Sequence, residues 1–195
     1  MRHRGPRTAL AALGLLAVVA LAGCGDSHTR VTTGTYAGES GANAPYLNVG
    51  PLIYEVQISR QLNPWNNGDS TYLQGVAPAQ ARLLPGQEWF GVFVQVYNET
   101  TKPVLATNAI TLTDTQGNVY RPIPIGPTNL FAYHGGIVRS KSMLPLPGSP
   151  ARVFGSQGQL LLFKIATISL DNRPLEMKIV NPLNPHSSAS AELDV

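Results

Sequence analysis

Alternating apolar and polar residues predict short β-strands over most of the chain beyond residue 50. In 52–59, every second side chain is apolar, which is typical of a strand with one buried face. In 89–98, apolar residues occupy both faces, and this favours a central strand covered on each side. Further strands are predicted over 108–113, 119–120, 159–170, 175–180 and 191–195.

Turn-forming residues separate these strands. Asp114 to Asn118 predicts a short hairpin loop, with Gly117 at its left-handed position. A short helix is predicted over 77–84, and two long loops cover 63–88 and 121–158. About seven short strands joined by turns predict an all-β fold, an Ig-like two-sheet β-sandwich.

The N-terminus has the layout of an export signal. Three arginines within the first seven residues precede an uncharged apolar segment over 8–20. That segment falls short of the roughly 20 apolar residues that a membrane-spanning helix needs. The ending Leu21-Ala22-Gly23-Cys24 resembles the lipobox of bacterial lipoproteins. The resemblance implies cleavage after Gly23 and a diacylglyceryl group on the Cys24 thiol.

This interpretation divides the chain into three parts. Residues 1–23 form the signal peptide, and 24–50, rich in Gly, Ser, Thr and Asn, form a lipidated flexible linker. Residues 51–195 form the β-sandwich domain. Two acyl chains give stable anchoring, so we expect the domain on the extracytoplasmic face of a cell membrane.

Charge and cysteine content argue against two classes of function, nucleic-acid binding and thiol chemistry. Three of the 14 Lys and Arg residues precede Cys24 and all 11 acidic residues follow it, so the chain after cleavage is formally neutral. A neutral exported domain lacks the basic surface that nucleic-acid binding requires. Cys24 is the single cysteine, so its lipidation leaves no thiol for a disulfide or for a catalytic nucleophile.

A family resemblance extends over 52–195. Its core and turn residues are Pro85-Gly86, Phe93 to Asn98, Leu112-Thr113-Asp114, Gly117, Tyr120, Gly158 and Leu162 to Ile165. The series resembles a bacterial lipoprotein domain family of Ig-like β-sandwiches, similar in fold to the mycobacterial immunoprotective extracellular antigen. Most members are domains of unknown function. The resemblance therefore implies a fold and carries no catalytic residue.

Two chemistries have partial support in the sequence. Gly68-Asp69-Ser70 resembles the start of a lipase-like hydrolase block, but no Asp-x-x-His follows near the C-terminus to supply a base. Turn formation is the interpretation that we favour for this triplet. His134 with Met143 and Met177 offers donors for Cu(I), although the sequence lacks the clustered pattern of His and Met residues that copper carriers have. No cofactor is predicted.

Aromatic residues in the long loops are the candidate binding residues. Trp65 and Tyr72 lie in the first loop, and Tyr133 and His134 lie in the second. Exposed rings beside Asn and Gly suit stacking on a glycan or anchoring of an envelope protein. The alternative, which we favour, is that the rings pack under the loops.

We therefore expect a membrane-anchored, noncatalytic binding or envelope-interaction module. One alternative is an extracytoplasmic small-ligand or copper-binding protein that uses the loops at 121–150 around His134. A second alternative is a hydrolase assembled from acidic residues that are distant in sequence.

Overall fold

A computed structural model describes residues 28–33 and 46–193, which form an all-β sandwich, as predicted. The strands are β1 (His28–Thr33), β2 (Tyr46–Val49), β3 (Leu52–Leu62), β4 (Gln87–Asn98), β5 (Val104–Ala106), β6 (Ile110–Thr113), β7 (Val119–Tyr120), β8 (Gly136–Val138), β9 (Ser142–Leu144), β10 (Gln159–Ala166), β11 (Leu175–Val180) and β12 (Ser188–Leu193). The helices are α1 (Asn67–Tyr72), α2 (Pro78–Ala81) and α3 (Pro150–Val153), and a 3-10 turn covers Thr167–Leu170.

Two sheets make the sandwich. The first sheet has the order β1-β12-β11-β6-β7, and the second has the order β10-β4-β3-β2, with β9 also paired to β4. Within these sheets every described pairing is antiparallel except that of β1 with β12. Strands β5 and β8 form a separate two-stranded ribbon.

Strand β4 is central, as its two apolar faces predict, and it contributes to two hydrophobic cores. One face carries Phe90, which pairs with Phe163 of β10 in the inner core between the sheets. Both rings are fully buried, and such burial contributes about 1.5–3 kcal/mol for each side chain. The other face carries Trp89 and Phe93, which belong to an outer core.

The outer core lies on the far side of the second sheet, beneath the long loops. Its buried members are Leu62, Trp89, Phe93, Ile125, Ala132, Leu160 and Leu162, and Tyr72 packs against them. The long loops therefore form a third layer over the second sheet. By contrast, the outer face of the first sheet presents polar side chains, such as Thr111 and Lys178.

The structure differs from the predicted linker over 24–50 at two places. Strand β1 pairs with β12, and β2 pairs with β3. Leu47 and Val49 of β2 are buried in the inner core. A strand this short carries too few alternations to stand out from the Gly- and Asn-rich residues around it. The boundaries at 23 and 50 otherwise stay predictions, and the signal segment 1–23 lies outside the described residues.

The predicted helix over 77–84 is reduced to the single turn α2, and α1 forms where none was predicted. Asn66 caps α1, because its Oδ1 accepts hydrogen bonds from the backbone N–H groups of Gly68 and Asp69, at 2.8 and 3.4 Å. Asn at this position satisfies N–H groups that have no partner inside the helix.

Other boundaries also differ from the sequence prediction. The loop over 121–158 contains β8, β9 and α3, whose three- and four-residue lengths give no detectable period. The strand predicted over 159–170 ends at Ala166, and the C-terminal strand begins at Ser188, not at residue 191. The described residues contain 12 strands rather than about seven, because short strands complete the sheet edges and because β5 and β8 form the separate ribbon.

Within the described part of the chain, no helix has the length and apolar character needed to cross a membrane.

Candidate functional site

An open cavity at the side of the sandwich is the candidate site, here called the side cleft. It lies where β6 and β11 of the first sheet approach β10 of the second sheet, and its volume is about 570 Å³. Ligand pockets typically have volumes of about 300–1,000 Å³. The lining residues are Asn108, Ala109, Ile110, Thr111, Arg121, Pro122, Ile123, Pro124, Ile125, Tyr133, His134, Leu161 and Val180.

The Pro-rich segment after β7 forms one wall of the side cleft. It crosses from the first sheet to the second and pairs along the free edge of β10, where the Ile123 N–H donates to the Leu162 carbonyl at 2.6 Å. Further along, the Tyr133 N–H donates to the Leu160 carbonyl at 2.9 Å. The segment thus covers an edge strand that would otherwise expose unpaired backbone groups.

Tyr133 forms the buried end of the side cleft. Its hydroxyl donates to the Thr107 carbonyl at 2.8 Å, and the Thr107 N–H donates to the Tyr54 hydroxyl at 2.9 Å. Burial raises the pKa of both tyrosines above the ordinary value, and the contact with Tyr54 raises that of Tyr133 further. Only 8% of Tyr133 is accessible, so its ring is buried, as the favoured interpretation of the loop aromatics predicts, and it offers no exposed surface for stacking. Its hydroxyl is engaged in a hydrogen bond within the protein.

Tyr72 also packs inward and is only partly accessible. Its ring makes edge contacts with Phe93 at 4.9 Å and with Phe131 at 5.0 Å between centroids. Phe131 in turn meets Phe154 at 6.0 Å. These contacts connect the outer core to the surface, so Tyr72 serves packing, as the alternative interpretation of the loop aromatics predicts.

The remaining two predicted binding residues are exposed. Trp65 is 91% accessible and lies before α1, away from the side cleft. His134 is exposed and lines the side cleft with Tyr133. The structure therefore brings together only two of the four candidates.

Arg121 is the cleft residue that the sequence analysis missed. It follows β7 directly and precedes Pro122, within the 121–150 loops that the small-ligand alternative would use. A single arginine between a strand and a proline gives no recognisable motif. Only the crossing of this segment past β6 reveals that Arg121 and His134 share one cavity.

The hydrolase block Gly68-Asp69-Ser70 is occupied by structural contacts. Asp69 pairs with Arg60 at 2.5 Å, and it accepts a hydrogen bond from the Asn63 N–H at 2.9 Å. Burial favours a raised pKa for Asp69, but these donors outweigh it and hold the pKa below the ordinary value. The Ser70 hydroxyl donates to the Asn67 carbonyl at 2.9 Å. Both side chains thus stabilise the loop at α1.

The proposed copper donors are not assembled. His134 lines the side cleft, whereas Met143 lines a second cavity of about 630 Å³ together with Tyr97, Lys141 and other residues. Met177 is fully buried in the inner core. Among the described residues, no group of three or more His, Cys, Asp or Glu side chains could hold a metal ion.

The second cavity borders a buried carboxyl group. The Tyr97 hydroxyl donates to Glu55 Oε2 at 2.7 Å. Burial, together with this contact to Glu55, raises the pKa of Tyr97 to about 12. Tyr97 is therefore a neutral hydrogen-bond donor at physiological pH.

The predicted lipidation residue, Cys24, lies outside the described residues. Its modification stays a prediction from the lipobox resemblance.

Comparisons with known proteins find no matching family and no matching curated protein. Among solved structures, the chain is similar to the yjhA protein of Bacillus subtilis, with a TM-score of 0.48 and 11% identity, over 77% of this chain and 97% of that one. It is also similar to ycdA of Bacillus subtilis, described as a "putative lipoprotein", with a TM-score of 0.45 and 10% identity, over 80% of this chain.

A third similarity is to an uncharacterized β-sandwich protein of Clostridium difficile 630, with a TM-score of 0.43 and 11% identity, over 85% of this chain and 94% of that one. The present chain spans only 39% of ycdA. These similarities have TM-scores of 0.48 or less and say nothing about a shared activity.

Proposed function

We propose that this protein is a noncatalytic binding module of the bacterial cell envelope, anchored at the outer face of the cell membrane by a diacylglyceryl group on Cys24. The lipobox resemblance at Leu21 to Cys24 supports the anchor. The proposal includes membership in the Ig-like lipoprotein domain family that resembles the mycobacterial antigen in fold.

The side cleft is the proposed ligand site, and its presence is the observation that best supports a binding function. It combines buried apolar residues, such as Ile110 and Leu161, with exposed polar groups at its mouth. A concave apolar site with few polar groups is the usual form of a small-molecule site. By contrast, the candidate catalytic residues Asp69 and Ser70 are engaged in loop contacts.

Filling the side cleft tests the ligand site. Ala109 is exposed and lines the cleft, so Ala109→Trp places a large ring in the cavity. A panel of neutral, anionic and cationic small aromatic compounds is titrated against the full chain in nanodiscs, with isoleucine methyl shifts as the readout. We expect shifts at Ile110 and Ile123 in the wild-type chain and their loss in Ala109→Trp.

The matched control is Ala79→Trp, which adds the same ring on α2, outside the side cleft. This variant should bind as the wild-type chain does. Shifts that map elsewhere, or that survive Ala109→Trp unchanged, would contradict the side cleft as the binding site.

Fractionation of cells tests the anchor. Cys24→Ser removes the only thiol, so we expect the chain to leave the detergent-soluble membrane fraction and appear in the aqueous phase. Ser27→Ala changes a neighbouring residue and should stay membrane-bound. Equal membrane association of both variants would overturn the lipid anchor.

Trp65 supports a second candidate, contact with an envelope protein or glycan. Its ring is 91% accessible, and exposed tryptophans are enriched where proteins bind partners. Chemical cross-linking in intact membranes should yield a product that Trp65→Ala loses. Leu183→Ala is the control, since Leu183 is 81% accessible. An unchanged product in Trp65→Ala would remove this candidate.

A further inference from the structure

The side cleft has a one-sided charge. Among the described residues that line it, Arg121 and His134 are the basic ones and none is Asp or Glu. The chain beyond Cys24 is formally neutral, so this is a local concentration of basic groups without acidic partners.

The Arg121 guanidinium is available to a ligand. Arg60 pairs with Asp69, and Lys164 lies 5.1 Å from the centre of the Trp89 ring. Within the part of the chain that the structure describes, Arg121 has neither an ion-pair partner nor a cation–π contact with an aromatic ring, and its side chain is exposed. An arginine presents a planar set of N–H donors that matches a carboxylate with two parallel hydrogen bonds.

His134 can add a further donor. An imidazole carries at least one N–H in both its neutral and its charged form. Its backbone carbonyl accepts a hydrogen bond from Asn108 Nδ2 at 3.1 Å, and this fixes the main chain of His134 beside the cleft.

The inner part of the side cleft is apolar. Ile110, Ile125 and Leu161 are buried, and the Tyr133 hydroxyl is already bonded to Thr107. A ligand that enters this region therefore gains by burying apolar surface, at about 25 cal/mol per Å². The second cavity differs, because Lys141 and Glu99 both line it and its charge is mixed.

We infer that the side cleft binds small organic acids, with an apolar body against Ile110 and Leu161 and a carboxylate against Arg121 and His134. This inference rests on the proposed function, because it names the ligand class of the same site. Arg121 and His134 are the residues that determine specificity for the acid.

Three probes separate the contributions of charge and apolar body. Phenylbutyrate carries both, phenylbutanol carries the body alone, and acetate carries the charge alone. Each is titrated against the full chain in nanodiscs, with empty nanodiscs as the blank and the methyl shifts of Ile110, Ile123 and Ile125 as the readout. We expect phenylbutyrate to bind roughly ten- to a hundredfold more tightly than phenylbutanol, and acetate to bind too weakly to saturate.

Arg121→Gln tests whether the arginine recognises the carboxylate. Arg121 is exposed, so the variant should fold, and it should lose most of the preference for phenylbutyrate while its affinity for phenylbutanol is unchanged. Arg139→Gln is the matched control, since Arg139 is exposed and lies outside the cleft lining. It should bind as the wild-type chain does.

The outcomes distinguish a failure of the acid-binding inference from a failure of the side cleft as a ligand site. Equal affinity for the acid and the alcohol, or an unchanged preference in Arg121→Gln, overturns the ligand class and leaves the side cleft as a binding site. Failure of all three probes to shift the isoleucine methyls overturns the acid-binding inference, and the broader compound panel then decides the proposed function separately.

Discussion

Asp114 illustrates how single residues hold the turns of this sandwich. Its Oδ1 accepts hydrogen bonds from the backbone N–H groups of Gln116 and Asn118, at 3.0 and 2.9 Å. Its Oδ2 accepts from Asn118 Nδ2 at 2.8 Å and from the Ser169 hydroxyl at 2.7 Å. One carboxylate thereby closes the β6–β7 hairpin and ties it to the 3-10 turn after β10.

These contacts predict a pH dependence of stability. Burial of Asp114 would raise its pKa, but hydrogen bonds from Asn118, Ser169 and Gln116 outweigh burial and hold the pKa below the ordinary value. A carboxyl whose pKa is lowered by folding stabilises the protein above its unfolded pKa of about 3.9, and this contribution disappears as pH falls through the folded pKa. Asp114→Asn should therefore be less stable than the wild-type chain at pH 7.

Urea unfolding at about pH 7 and about pH 3 measures this effect. The gap in unfolding free energy between the wild-type chain and Asp114→Asn should shrink at the lower pH. Thr115→Ala alters the same turn without touching the carboxylate, and its gap should not depend on pH. A gap for Asp114→Asn that is equal at both pH values would contradict the assignment.

At the scale of elements, the approach of β10 to β4 depends on a glycine. A Cβ on Gly158 would lie 2.9 Å from the Val94 nitrogen and 3.0 Å from the Phe93 carbonyl carbon. These are backbone atoms of the central strand and cannot move aside as a side chain would. The start of β10 is therefore restricted to glycine by close packing.

Gly158→Ala should destabilise the chain by about 1–3 kcal/mol, because β10 must shift away from β4. Gly155→Ala is the matched control, since a Cβ there meets no atom within 4 Å. Its unfolding free energy should stay within about 0.5 kcal/mol of the wild-type value. Thermal or urea unfolding of the two variants measures the difference, and equal stabilities would refute the packing argument.

The loop layer is the second feature at this scale. Asn129 is buried, and its Nδ2 donates to the carbonyls of Thr71, Tyr72 and Gln74, at 3.3, 3.1 and 2.7 Å. It thus joins the two long loops, which are distant in sequence. Such contacts supply hydrogen-bond donors to carbonyls at and after the end of α1, where intrahelical partners run out.

At the scale of the whole molecule, two hydrophobic cores share one strand. Trp89 faces the outer core and Phe90, the next residue, faces the inner core. Loss of either core therefore displaces the strand on which the other depends. We expect the sandwich and its loop layer to unfold in one cooperative transition.

Tryptophan fluorescence measures whether the outer core unfolds together with the rest of the sandwich. Trp65 is 91% accessible and Trp89 is 3% accessible, so Trp65→Phe leaves a reporter of the outer core. Its emission during urea unfolding should follow the same curve as far-ultraviolet circular dichroism. Trp89→Phe is the control, and its remaining exposed ring should change emission only slightly. An earlier fluorescence transition in Trp65→Phe would mean that the loop layer melts separately.

Much of the fold was determined by the sequence alone. The all-β class, the central position of β4, the hairpin at Gly117 and the strand over 175–180 all follow from local patterns of apolar and turn residues. These features depend on contacts between near neighbours or on the period of one strand, and such information is present in a short window of sequence.

Tertiary structure decided the rest. The pairing of β2 with β3, the burial of Tyr133, and the meeting of Arg121 with His134 in the side cleft each join residues from separate segments. Strand β2 is too short to show a period, and the exposure of a loop residue depends on which sheet face lies beneath it. Residue types and their alternation thus define a β-sandwich, whereas the path of the Pro-rich segment across the sandwich edge creates its cavity.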